Sequence, residues 1–325
     1  MTTDQLTNRA DARQQAAVQS LALIDGYPVL SAWLNRLFES YTFNAKQAFG
    51  AESRLCAKGL PLEYAVVWPS HSVRCTVDVL PQGTPGERLK RTLRLAGPFR
   101  HTFQHSLFHE LSRHQPEHLP RYGAWLGVRE EQNRTATKIY LELADHIKPV
   151  LFGALRLPYD LPVDLGIQPV MLGLPLDRPQ AEIYFQLARA DRPFIRWILS
   201  RIGFPDRTDD IFRMLEQLCD SRLDGSLDWS SLGFSITCRP DGQTETVTFY
   251  SFASSAIGSD HMVREQVMNL GRRHGWDMRL YAALSAGAVG TGDLNIFHGM
   301  VGVAAGHRGP VHFTTGICPA SPLLA

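Results

Sequence analysis

The sequence lacks several features that would assign it to a common class of protein. Its five cysteines are odd in number and include no C-x-x-C pair, which argues against a zinc knuckle and against a disulfide framework. No uncharged apolar run approaches the ~18 residues of a transmembrane helix, so no membrane span is expected. The polar start of the chain has no apolar core of a secretory signal, and together with the cysteines this favours a reducing cytoplasm.

Strong net charge is absent as well. The chain has 33 basic and 32 acidic residues, which leave a formal charge of +1 at pH 7. Because no global field would attract it to nucleic acid or to an anionic membrane, we expect neither as a partner. Its 325 residues are 44% hydrophobic, which is enough for a sizeable core, and we expect residues 1–325 to form a single domain.

Common catalytic and nucleotide-binding motifs are also missing. There is no G-x-S-x-G elbow, so an α/β-hydrolase is not supported. The glycine-rich stretches GAVGTG and GMVGVAAG do not lie between a strand and a helix of a βαβ unit, so a dinucleotide-binding fold is not indicated.

Two groups of candidate metal ligands have simpler explanations, so we predict no metal site. Three histidines recur at the i, i+4, i+8 spacing, but the phenylalanines and leucines around them explain this segment as an amphipathic helix. Three aspartates in FPDRTDDIF have the spacing of a charged helix start rather than that of a magnesium motif. The two groups are His101, His105 and His109, and Asp206, Asp209 and Asp210.

Short strand-like segments recur in pairs along the chain. In SVRCTVDVL, apolar residues alternate with polar ones, which is the period-2 pattern of a strand with unlike faces. The second pair is joined by the polar segment REEQNRT, which we predict to be a loop, and the fourth by the turn signal Pro-Asp-Gly. The predicted hairpins are Leu60–Trp68 with Ser72–Leu80, Gly123–Val128 with Ala136–Leu143, Leu165–Leu174 with Gln180–Leu187, Leu232–Arg239 with Glu245–Ala253, and Asn295–Val303 with Pro310–Ile317.

Helical segments precede and separate these hairpins. We expect an N-terminal helical region within residues 1–55 and a helical stretch over about 85–116, with further helices after the third and fourth hairpins. Antiparallel strands with helices returning outside can close into a barrel without free edges, whose lumen has room for a ligand. The sequence thus predicts an α+β fold, a ten-stranded antiparallel β-barrel of five hairpins over residues 60–318, surrounded by a ring of α-helices. A sandwich or a split α+β sheet is the alternative.

Polar side chains fall repeatedly on one face of the second strand of a hairpin. Such faces usually point to solvent. Here the opposite faces consist of Val, Ile, Leu and Phe, which the outer helices need for packing, so we predict that the polar faces line the lumen. The polar sets are Lys138, Tyr140 and Glu142; Gln180, Glu182, Tyr184 and Gln186; and Thr246, Thr248 and Tyr250, the last joined by Phe252, with Arg74 and His312 in comparable places.

Several of these segments, in order and at hairpin spacing, resemble a known family. They are GLPLEYAVVW, VRCTVDV, TKIYLEL, LGIQPVMLGLPLDRPQAEIYFQL, TVTFYSF and VHFTTGI. The series is similar to the aromatic prenyltransferases of the ABBA (αββα) type, which include the dimethylallyltryptophan synthases and the bacterial phenol and cyanobactin enzymes. The resemblance spans about residue 60 to the end of the chain, and it implies the ten-stranded barrel and an enzyme that transfers a prenyl group.

The resemblance also implies roles for individual residues. Glu63, in PLEYAVVW, falls where the indole enzymes have an acidic general base. Arg74 matches their first diphosphate-binding arginine, and His312 stands where the phenol branch has a diphosphate-binding lysine. Lys138 and Tyr140 match a Lys-x-Tyr pair that grips the diphosphate and shields the allylic cation. The next two shielding tyrosines match Tyr184 and Tyr250.

The sequence departs from the family at the diphosphate clamp. Glu182 and Gln180 occupy places where the indole branch has basic residues. A diphosphate is costly to bury without compensating cations, so this lighter clamp bears directly on whether the chain binds a donor.

The favoured function is therefore an aromatic prenyltransferase. The expected partners are a prenyl diphosphate donor and an indolic or other electron-rich aromatic acceptor, either a small molecule or a peptide. No cofactor is expected to be required, and dependence on magnesium is left open. The alternative is a non-catalytic barrel that binds a hydrophobic or aromatic small molecule.

Overall fold

The computed structural model of the chain describes residues 3–42, 53, 55, 59–114, 123–131, 134–143, 148–157, 161–188, 191–219, 232–289 and 297–319. Ten strands lie within these ranges. They are β1 (Leu62–Trp68), β2 (Ser72–Val77), β3 (Ala124–Glu131), β4 (Arg134–Glu142), β5 (Ile167–Pro175), β6 (Ala181–Leu187), β7 (Gly233–Cys238), β8 (Thr244–Phe252), β9 (His298–Gly306) and β10 (His312–Ile317).

The strands form one closed antiparallel barrel. Each strand pairs with its neighbours in sequence, and β1 also pairs with β10, where Tyr64 lies opposite Ile317 and Trp68 opposite Phe313. No edge is left exposed, because the first and last strands satisfy each other's backbone groups. The predicted barrel is confirmed, and a sandwich or split sheet is ruled out by the β1–β10 ladder.

Helices surround the barrel in the order that the sequence predicts. They are α1 (Thr3–Leu23), α2 (Pro28–Thr42), α3 (Pro85–Ala96), α4 (Thr102–His114), α5 (Lys148–Leu155), α6 (Arg192–Arg201), α7 (Thr208–Cys219), α8 (Ala253–Ala256), α9 (Asp260–His274) and α10 (Arg279–Leu284). Among the helices of these ranges, none combines the length and the apolar content that a membrane crossing needs.

The predicted helical stretch over 85–116 is interrupted near its middle. Helix α3 begins with a capping box, in which Thr84 and Glu87 bond each other's backbone, and with Pro85 in its first turn. It ends at Gly97, whose φ of 81° is a conformation that glycine adopts without strain. Helix α4 then starts at Thr102, and the predicted end at Pro116 lies outside the described residues.

Alternation along the strands separates a dry outer face from a polar inner face. On β4, Ile139 and Leu141 face outward and are 0% and 5% exposed, whereas Lys138 and Tyr140, which alternate with them, are half-buried and face the lumen. Burying one such apolar side chain stabilises the fold by about 1.5–3 kcal/mol. The helices therefore pack on the apolar faces, and the polar faces are left for the interior.

One loop prediction was wrong. Residues 129–131 continue β3, and β4 starts at Arg134, so most of REEQNRT is strand rather than loop. Arg129 lies opposite Ala136 and Glu131 opposite Arg134 in this extension. Strand β9 likewise runs on to Gly306, and its predicted start at Asn295 lies outside the described residues. Both extensions lengthen the polar lumen toward the hairpin turns.

Candidate active site

The inner faces of the strands enclose a cavity of about 420 Å³ that opens toward the hairpin turns. Four of the predicted site residues line it, namely Arg74, Lys138, Tyr140 and His312. Glu182 of β6, Thr248 of β8 and Thr314 of β10 line it as well. Tyr184, Tyr250 and Glu63 stand on the same inner faces, farther from the turns of their hairpins than Lys138 is from its own. The structure thus brings all seven predicted residues to the inside of one barrel.

Three tyrosines form a continuous row of rings across the lumen. The ring centroids of Tyr140 and Tyr184 are 6.0 Å apart in an edge-to-face arrangement, and those of Tyr184 and Tyr250 are also 6.0 Å apart, at a tilt of 53°. Such contacts are within the range of favourable aromatic pairs. The Nζ of Lys138 lies 5.5 Å from the centroid of Tyr140, so a cation already sits at the end of the row.

Glycines on neighbouring strands make room for two of these rings. A Cβ at Gly127 would stand 2.7 Å from Cε2 of Tyr140, and one at Gly233 would stand 2.5 Å from Cε2 of Tyr250. Each ring therefore lies against bare backbone. The hydroxyl of Tyr250 donates to the carbonyl oxygen of Phe185 at 3.0 Å, which fixes the position of that ring.

Glu63 lies inside the barrel in a pocket formed by two glycines. A Cβ at Gly316 of β10 would stand 2.6 Å from Oε1 of Glu63, and one at Gly299 of β9 would collide with Oε2. Burial raises the pKa of this carboxyl from 4.5 to about 7. A carboxylate with a pKa near neutrality is suited to accept a proton at physiological pH.

Lys138 is bound by an acid rather than left open. Its ammonium forms an ion pair with Oε2 of Glu182, and the Ser235 hydroxyl donates to Oε1 at 2.5 Å. Burial alone would raise the pKa of Glu182, but Lys138, Ser235 and Arg74 outweigh it, so this pKa lies below its usual range. The departure from the family pattern at this position thus has a physical consequence, since an ionised carboxylate sits beside the predicted phosphate ligand.

Three arginines that the sequence reasoning missed also line the cavity. Arg129 stands on the inner face of β3, and Arg178 and Arg308 come from the turns that follow β5 and β9. Arg129 lies directly opposite Arg74 in the β2–β3 ladder. The only signal for Arg129 in the sequence was its place two residues after Gly127 on a strand, and the loop prediction hid that signal.

His312 lies in the field of these arginines. Burial, then Arg129 and Arg74, lower its pKa, and Glu131 opposes them in part. His312 is therefore harder to protonate than an exposed histidine, and an anion beside it would favour its protonation.

The candidate metal ligands on the outside of the barrel are engaged elsewhere. The rings of His105 and His109 contact each other at 3.2 Å, while His101 bonds the carbonyl of Asp177 at 3.0 Å. Asp209 and Asp210 face arginines at 3.9 Å and 3.6 Å. Among the described residues, no group of His, Cys, Asp or Glu has a geometry that could hold a metal ion.

No protein-family model matches this chain, and no curated protein matches it significantly. Several solved structures, in contrast, match the chain over most of its length. A 5-dimethylallyltryptophan synthase from Streptomyces coelicolor, in complex with DMASPP and Trp, aligns with a TM-score of 0.69 at 14% identity, over 96% of this chain and 95% of that chain. PriB in a binary complex with product diphosphate gives a TM-score of 0.70 at 14% identity, over 97% and 96%.

A further match is NotF in complex with brevianamide F and DMSPP, with a TM-score of 0.57 at 13% identity, over 89% of this chain and 88% of that chain. At this level of identity the likeness concerns the fold. The chain therefore has the barrel of the ABBA-type prenyltransferases over nearly its whole length.

Proposed function

We propose that this chain is an aromatic prenyltransferase. It transfers a dimethylallyl or longer prenyl group from an allylic diphosphate to an indolic or other electron-rich aromatic acceptor. The observation that carries the proposal is an order along the lumen. Cations lie toward the hairpin turns, the tyrosine row follows them, and the half-buried carboxylate of Glu63 lies farther in, against Gly299 and Gly316. A reaction that separates an anion from a carbocation and ends in proton loss needs these three environments in this order.

The cationic end of the lumen is the proposed site for the diphosphate. Arg74, Lys138 and His312 hold it and stabilise the charge that grows on it as the allylic C–O bond breaks and the electron pair leaves with the oxygen. The low dielectric of the lumen strengthens these contacts relative to water. Side-chain cations supply this charge in the proposed reaction, so no cofactor is required.

The tyrosine row is the proposed shield of the allylic cation. Ring faces attract a cation by about 0.5–2 kcal/mol each, and they exclude water that would capture it. Tyr140, Tyr184 and Tyr250 offer three rings in contact. The prenyl chain lies between them and the acceptor.

Glu63 is the proposed base. The acceptor ring forms a bond to the allylic carbon, and the proton displaced from the ring passes to the Glu63 carboxylate, which restores aromaticity. Its pKa of about 7 leaves a large share of the carboxylate ionised at neutral pH. The structural neighbours in complex with Trp and with brevianamide F support an aromatic acceptor.

We also propose a cytoplasmic location. The supporting observation is that Cys75 is buried in the fold as a thiol that forms no disulfide with any described residue, which suits a reducing compartment.

A second candidate function is favoured by one observation. The Lys138–Glu182 ion pair neutralises one cation of the clamp, as expected of a non-catalytic barrel that binds a hydrophobic or aromatic molecule. Incubation with labelled dimethylallyl diphosphate and a panel of indoles, phenols and cyclic dipeptides distinguishes the two. Prenylated product with release of diphosphate supports the enzyme. Tight binding of aromatic ligands without diphosphate release from any combination supports the binding protein.

A further inference from the structure

Two arginines lie side by side on the β2–β3 ladder and point to the inside of the barrel. Arg74 and Arg129 are direct partners in this antiparallel register. Like charges directly opposite one another destabilise a sheet, and the effect grows in a cavity with little water. The electrostatic energy of such a pair is unfavourable by itself. An anion bound by both side chains would make it favourable.

The hydrogen bonds of the two guanidinium groups also indicate a site for an anion. The Nε of Arg74 and the Nε of Arg129 are both buried, and neither has a hydrogen-bond partner in the described part of the chain. Buried N–H donors in proteins are nearly always paired, so two unpaired donors on adjacent side chains indicate a missing acceptor. Glu131 satisfies only one end of Arg129, where its Oε2 accepts from Nη2 at 2.5 Å.

Among the residues that line the cavity, arginines and lysine outnumber the acids, five to three. Burial lowers the pKa of Arg129, and Arg74 and Arg178 lower it further, while Glu131 opposes them. His312 faces the same two arginines from β10. An electrostatic field of this sign attracts an anion rather than a cation.

Arginine is suited to a phosphate ligand because its planar fork of N–H groups matches two phosphate oxygens at once. Two adjacent forks match the two phosphoryl groups of a diphosphate. We propose that Arg129 is a principal ligand of the diphosphate, which it grips together with Arg74 beside it. This inference rests on the proposed function for the identity of the donor. Arg129 also adds a second arginine to a clamp in which Lys138 is paired with Glu182, and its own ion pair with Glu131 leaves its Nε available to a ligand.

The test measures binding of inorganic pyrophosphate by titration calorimetry, with the full chain and without an acceptor. Arg129→Gln should weaken the affinity roughly tenfold or more, since a bidentate, charge-assisted contact is lost. Arg129→Lys should recover part of this loss, because it keeps the charge but not the fork. The matched control is Arg196→Gln on outer helix α6. The Arg196 side chain is 61% exposed, and the pyrophosphate affinity of this variant should equal that of the parent.

The proposal also predicts an effect that a merely structural arginine would not show. Without an anion, Arg129→Gln should melt at the same temperature as the parent or higher, because the repulsion from Arg74 is removed. With pyrophosphate, the parent should gain more thermal stability than the variant.

Pyrophosphate affinity of Arg129→Gln within twofold of the parent, or a parent that does not bind pyrophosphate, would overturn the inference. If Arg129→Gln does not fold, Arg129→Met serves instead, and pyrophosphate affinity within twofold of the parent in that variant has the same meaning. Arg129-dependent binding without prenyl transfer to any acceptor would leave the inference standing and refute the proposed function. Prenyl transfer with an unchanged donor KM in Arg129→Gln would refute the inference and leave the proposed function standing.

Discussion

Lys138 reaches Glu182 by passing over Gly173. The lysine is on β4 and the glutamate on β6, and the glycine belongs to β5 between them. A Cβ at Gly173 would stand 3.0 Å from Cδ of Lys138 and 3.5 Å from Cβ of Glu182, so the missing side chain is what lets the two residues meet. The carboxylate therefore competes with an incoming diphosphate for the same ammonium group.

Removing this competitor should strengthen the donor site. In Glu182→Gln the amide keeps the shape of the side chain but not its charge, and we expect several-fold tighter binding of pyrophosphate, equivalent to about 1 kcal/mol. Titration calorimetry on parent and variant measures the change. Glu216→Gln, which alters an outer ion pair with Arg192, is the control and should leave the affinity unchanged. Weaker binding in Glu182→Gln would mean that the carboxylate orients Lys138 for the donor rather than competing with it.

Loss of the proposed base should affect chemistry and spare donor binding. Glu63→Gln keeps size and polarity but cannot accept the proton, so we expect kcat to fall by roughly 10²–10⁴. The dissociation constant of a thiolodiphosphate analogue should stay within about twofold of the parent. Lys138→Ala should have the opposite effect and weaken the binding of the same analogue. A Glu63→Gln variant that retains full turnover would show that another group takes the proton.

The pH dependence of stability follows from the same carboxyl. Because burial raises its pKa from 4.5 to about 7, the folded protein holds this proton at pH values where the unfolded chain has released it. The free energy of unfolding should therefore fall as the pH rises from 4.5 to about 7, by roughly 3 kcal/mol in all if no other group compensates.

Glu63→Gln removes this titration. Urea unfolding should find the variant more stable than the parent at about pH 8 and little different near pH 4, where Glu63 is protonated in both states. An equal difference between the two proteins at both pH values would contradict the buried, proton-holding state of Glu63.

The glycines around Glu63 should control the position of its carboxylate. Gly316→Ala places a Cβ 2.6 Å from Oε1, so the carboxylate has to move. We expect kcat to fall about tenfold or more, with donor affinity unchanged, because a displaced base transfers protons poorly. Steady-state kinetics measure both quantities. Gly86→Ala is the matched control, since a Cβ there meets nothing within 4 Å, and it should keep parental kinetics.

The barrel was predictable because strands with unlike faces repeat in sequence. In VRCTVDV and TKIYLEL the apolar residues all point outward to the helices, and this period of two also assigns Arg74, Lys138 and Tyr140 to the inside. The break in the helical stretch at Gly97 was readable as well, since a glycine followed by a proline ends a helix.

The cationic end of the lumen was harder to predict for a physical reason. A strand that faces a polar cavity continues with charged residues, so the end of β3 looks like a loop, and Arg129 was overlooked. Arg178 and Arg308 belong to turns, where sequence does not determine on which side of the chain a side chain lies. The Lys138–Glu182 contact joins strands that are not neighbours in the sheet, and pairwise strand register does not reveal it.

Glycines lie beside the tyrosine rings, so the width of the lumen can change without a change in the packing that stabilises the fold. Adding one methyl group at Gly127 would displace the ring of Tyr140, because the atoms nearest to the new Cβ all belong to that side chain. Ligand preference in this architecture can therefore change through a small residue that acts on its neighbour's ring. Substitutions at this position would give lumens of different width while the packing between barrel and helices stays the same.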